Sequence, residues 1–75
     1  MKAFDRITVD AAVMGGRPCI RGLRMPVSRV LGMLAAGEAE QAILANHPDL
    51  EADDIRQALA YAARLSDDPF IPLAG

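Results

Sequence analysis

The thirteen residues from Gly15 to Val27 hold three glycines, two prolines and three arginines, and they directly precede the first helical repeat of the chain. No regular helix accommodates that composition, because proline lacks an N–H and fixes φ while glycine favours turns. The apolar residues of the stretch alternate, Ile20 with Pro18 and Leu23 with Met25 and Val27. That spacing predicts two short extended segments joined by a tight turn at Arg21-Gly22. Upstream, Ile7-Thr8-Val9 is β-branched throughout and reads as a further strand ended by Asp10. Residues 1–26 therefore form a β arm or hairpin. Its structural residues are Ile7, Val9, Gly16, Pro18, Ile20, Gly22 and Pro26, and its expected task is strand pairing between two chains.

Beyond Pro26 the apolar period changes from two to that of a helix. Val27, Val30, Leu31 and Leu34 make one stripe over a helix at 27–36, with Ser28 placed to serve an orphan N–H and Gly37 as the stop. Gly32 inside this helix is unfavourable by about 1 kcal/mol relative to Ala, which suggests close approach of another backbone. A second helix spans 38–46, with Ala39, Ala42 and Ile43 as its buried face and no good N-cap. Asn46-His47-Pro48-Asp49 breaks it, and Leu50 plugs the turn. The third helix spans 51–65 with a core stripe of Ile55, Ala58, Leu59, Ala62 and Leu65, and Asp53 and Asp54 near its positive end. The expected fold is mainly α: one domain over 1–75, a β arm at 1–26, a three-helix helix-turn-helix core at 27–65, and an extended tail at 66–75.

Composition narrows the function. The 75 residues include two Phe, one Tyr and no Trp, so the core is built from small aliphatic side chains. At about 25 cal/mol per Å² of buried apolar surface, such a core is thin and favours a homodimer. A lone Cys19, no leader and no membrane-length apolar run point to a cytoplasmic protein. Charge is split: residues 1–29 carry six basic against two acidic side chains, and residues 30–75 carry two against eight. A local basic surface is compatible with that pattern, whereas uniform coating by nucleic acid is not.

Chemistry at a catalytic centre finds no support. His47 is the only histidine, it lies in a turn, and no His/Cys/carboxylate set has metal-ligand spacing. Gly15-Gly16-Arg17-Pro18 lacks the Lys-Ser/Thr ending of a phosphate loop. Neither enzyme activity nor a metal, cofactor or small-molecule substrate is expected. For DNA, one candidate surface is the third helix, through Arg56, Gln57, Tyr61 and Arg64. The other is the set Arg17, Arg21, Arg24 and Arg29. Against these stand two plainer roles: solvated helix residues in the first case, and pairing with the acidic helices in the second. In the tail, Phe70, Ile71 and Leu73 either pack back on the domain or bind a partner protein.

Three segments together resemble a known family. They are Gly16-Arg17-Pro18-Cys19-Ile20-Arg21-Gly22-Leu23-Arg24-Met25-Pro26-Val27, then Leu34-Ala35-Ala36-Gly37, then Ile43 to His47-Pro48 with Asp49-Leu50, Asp53-Asp54-Ile55 and Ala58-Leu59-Ala60-Tyr61-Ala62. The pattern is similar to that of domain-of-unknown-function family 433, over about residues 5–65. The resemblance implies a homeodomain-like tri-helical core behind a β element, dimerisation, and an antitoxin-like role. In that role the chain would bind operator DNA and neutralise a PIN-like ribonuclease toxin, with a DNA-free protein adaptor as the alternative. The chain departs from the family pattern at Ala39, Ala42 and Glu51, where capping residues are usual, and at Leu23. Looser helix ends are the expected consequence.

Overall fold

Backbone pairing begins within a single chain. In the computed structural model, which describes residues 4–66, strand β1 (Ile7–Thr8) runs antiparallel to β2 (Cys19–Ile20), with Ile7 opposite Ile20 and Thr8 opposite Cys19. The other edge of β2 is also occupied. Cys19 bridges Pro26, the Ile20 N–H donates to the Met25 carbonyl at 2.9 Å, and the Val27 N–H donates to that of Pro18 at 2.9 Å. Both edges of β2 are thus paired within the chain. Val9, expected to extend β1, lies outside it and is 67% exposed.

The tight turn stands where Arg21-Gly22 predicts it. Both central residues have positive φ, 44° at Arg21 and 72° at Gly22, and the Leu23 N–H closes on the Ile20 carbonyl at 2.7 Å. Positive φ at both positions is the hairpin-favouring turn class, which glycine fills without strain and arginine does not. A short 3₁₀ turn at Met14–Gly16 joins the strands.

Helix α1 spans Val27–Ala35, α2 spans Glu40–Asn46 and α3 spans Ala52–Leu65. The α1 stop is a Schellman motif: the Gly37 N–H reaches the Leu34 carbonyl at 3.0 Å and the Glu38 N–H reaches that of Met33 at 3.1 Å, with Gly37 at φ 92°. Ser28 makes no capping hydrogen bond; Pro26 occupies the N-cap. Because Glu38 takes part in that motif, α2 starts two residues later than the acid pattern suggests.

The core is one cluster of Ile20, Val27, Val30, Ile43, Leu50, Ile55 and Ala58, with α3 packed against both α1 and α2. Leu50 plugs the turn as expected. Three expectations fail here. Ala39 and Ala42 are exposed, because so short a helix turns only Ile43 and the edge of Leu44 inward. Leu59 and Leu65 are 47% and 71% exposed. Gly32 approaches no other backbone, since a Cβ there would meet nothing within 4 Å. Gly32→Ala should therefore stabilise the protein by about 1 kcal/mol, raising Tm by a few degrees in a thermal melt.

Candidate functional site

The hairpin turn and the start of α3 meet at Asp54, a carboxylate with no exposed surface. A buried charge is tolerated only when paired and fully hydrogen-bonded. Here each oxygen takes a full complement of donors. Arg21 approaches side-on, with Nε 3.0 Å from Oδ1 and Nη2 2.9 Å from Oδ2. Arg6, the residue before β1, donates Nη1 to Oδ1 at 3.0 Å. The Glu51 backbone N–H donates to Oδ2 at 2.8 Å. No buried side-chain polar atom among the described residues is left without a partner.

This arrangement caps α3. Asp54 sits at the third helical position and satisfies the N-cap amide of Glu51, the returning half of a capping box. The helix start is capped although Glu51 stands in place of a usual capping residue, because the carboxylate that binds the hairpin also binds the N-cap amide. Glu51 itself takes a hydrogen bond from Arg6 Nη1 at 2.7 Å. Around the cluster, the Arg6 N–H donates to Gln57 Oε1 at 3.0 Å, and Gln57 Nε2 donates to Asp5 Oδ1 at 2.6 Å. Arg21 Nη2 also donates to the Asp49 carbonyl at 2.6 Å. Phe4 closes the seam edge-on to Tyr61, with ring centroids 5.4 Å apart.

Burial alone would raise the Asp54 pKa. Hydrogen bonds from Arg21, the Glu51 backbone and Arg6 outweigh it and hold the carboxyl below its ordinary value.

Of the residues assigned to DNA, three are engaged here: Arg21, Gln57 and Tyr61, whose ring packs on Phe4. Arg21 holds Asp54 and Gln57 holds the β arm, so the plainer alternative, pairing with an acidic helix, describes Arg21. Arg56 is exposed and pairs with Asp53 one turn earlier on α3. Arg24 is exposed beside the Met14 sulfur. Arg29 on α1 and Arg64 in the last turn of α3 are exposed, as is Arg17 before β2. Of the β-arm residues, Ile20 and Pro26 are buried, and Ile7 packs on the core. Gly22 holds the turn, Gly16 the 3₁₀ turn, and the Pro18 carbonyl ties α1 to β2. Phe70, Ile71 and Leu73, expected either to pack back on the domain or to bind a partner, lie outside the described residues.

Helix-dipole reasoning treats Asp53-Asp54 as a favourable pair and misses the cluster. A signal is nonetheless present in the helical phase. Asp54 adjoins Ile55 and stands one turn before Ala58, on the buried stripe, and an acid at that phase calls for a cation.

Fold and cluster together define a small tri-helical domain locked to an N-terminal β element through one buried carboxylate. Among the described residues no helix is long and apolar enough to cross a membrane. The chain belongs to the family described as Protein of unknown function (DUF433), which matches residues 7–62. It is 39% identical over 60 residues to Uncharacterized protein y4eO of Sinorhizobium fredii, covering 80% of this chain and 27% of that protein. The fold is similar to the crystal structure of a DUF433 member protein from Anabaena variabilis, with a TM-score of 0.76 and 32% identity over 80% of this chain and 59% of the other. The chain thus spans about a quarter of the curated relative's length.

Proposed function

We propose that this chain is a DNA-binding regulator of the antitoxin type, acting as a homodimer that occupies operator DNA and neutralises a PIN-like ribonuclease. The observation that carries the DNA half is the pairing of the acids at the start of α3, which follows α2 as in a helix-turn-helix. By sequence, the acids at the start of α3 look hostile to phosphate. They are compensated: Glu51 and Asp54 pair with Arg6, Asp54 with Arg21, and Asp53 with Arg56 and Arg6. Arg17, Arg24, Arg29 and Arg64 stay on the surface to meet the backbone of a duplex. Toxin neutralisation rests on the family resemblance and on the apolar tail residues Phe70, Ile71 and Leu73.

A second reading, a protein adaptor without DNA, is favoured by the exposed acids Glu38, Glu40 and Asp49 on and around α2. The two separate in a binding titration with the DNA upstream of the protein's own gene. Phosphate contacts make log K fall linearly with log salt, with a slope of about −0.9 for each phosphate neutralised. The regulator reading predicts such a slope. Absence of binding at low salt, or binding indifferent to salt, favours the adaptor.

A further inference from the structure

The α1–α3 seam is open at one end, as a groove of about 430 Å³ walled by Val27, Leu31, Tyr61, Ala62 and Leu65, with Arg17 at its rim. Its volume falls in the size range of ligand clefts, but it lacks the convergent polar groups with which such clefts orient a small molecule. Its chemistry suits an apolar peptide segment with an acidic flank. From the groove's walls, charge and place in the chain we infer that its occupant is this chain's own C-terminal segment, residues 67–75.

Three observations converge on that occupant. Leu65, a groove wall and 71% exposed, is the last residue of α3, so the chain leaves the helix at the groove's edge. At roughly 3.3 Å per extended residue, residues 70–73 come within reach of walls on the same helix turn. The order of residues also matches: Asp67 and Asp68 come first, to meet Arg17 at the rim, followed by Phe70, Ile71 and Leu73 for the apolar walls. Two prolines, Pro69 and Pro72, limit the entropy lost when the segment is ordered. This docking is independent of DNA binding. It also links to the partner half of the function, because a protein that captures Phe70 and Ile71 vacates the groove.

The test compares backbone NMR spectra of the full chain and of its Phe70→Ser/Ile71→Ser variant. Docking predicts shifts at the amides of Ser28, Leu31 and Ala62, together with a rise of about twofold or more in binding of a hydrophobic dye. Groove signals in the full chain should also stay unchanged on dilution. If the variant loses thermal stability while keeping its helical circular dichroism, that too supports docking. Shifts confined to residues beyond 64, with unchanged dye binding, overturn the inference. Groove signals that move on dilution overturn it as well, assigning the groove to a second copy.

Discussion

Asp54→Ala is expected to cost on the order of 3 kcal/mol, the effect of removing a buried, fully hydrogen-bonded charge. In a domain this small that loss lowers Tm by more than about 10 °C. The carboxylate is shared by the hairpin, the segment before β1 and the α3 N-terminus, so its removal frees all three. Asp54→Asn is expected to fare little better. It keeps the shape, but its amide hydrogens would face the arginine donors. Circular dichroism melts of both variants check this.

The same carboxylate sets an acid limit on stability. Its folded pKa lies below the ordinary value of 3.8. Between the folded and unfolded pKa values the unfolded chain binds more protons, so stability rises with pH across that window. The contribution is therefore complete above about pH 5 and is lost as pH falls below the ordinary carboxylate range. The Asp54→Asn variant should show a shallower acid slope.

The second large effect contrasts two residues that helical phase places on one stripe. Ile55→Ala should cost about 3 kcal/mol, because the side chain is fully buried between α3 and the rest of the core. Leu59→Ala should cost no more than about 0.5 kcal/mol, since Leu59 is 47% exposed. Paired denaturant titrations measure both. Equal losses would return Leu59 to the core.

Those two positions mark where sequence reasoning succeeds and where it stops. Local chemistry is legible: the alternation around Ile20, the turn at Arg21-Gly22, the stop at Gly37 and the plug at Leu50 each depend on a few neighbouring residues. What is not legible depends on which way a helix faces. A stripe of Ile55, Ala58, Leu59, Ala62 and Leu65 is wider than the face α3 buries, and only packing against α1 and α2 selects Ile55 and Ala58. The cluster is hidden for a related reason. Arg6 and Arg21 each lie 33 or more positions from Asp54, and nothing local couples them to it. Gly32 suggests a close neighbour, but its flank is open. Arginines of identical type divide into structural and surface sets only once the carboxylate partner is known.

Comparing Arg21→Gln with the double variant Arg24→Gln/Arg29→Gln separates the structural arginine from the surface ones. Thermal stability and the salt dependence of binding to the upstream DNA are measured on each. Arg21→Gln should lower Tm clearly, because it strips the side-on pair from Asp54. Arg24→Gln/Arg29→Gln should leave Tm unchanged and make the log K against log salt slope shallower by about one for each phosphate that is no longer neutralised. The contrary result, an unchanged Tm for Arg21→Gln with a shallower salt slope, would place Arg21 on the DNA and contradict its role as the clamp on Asp54.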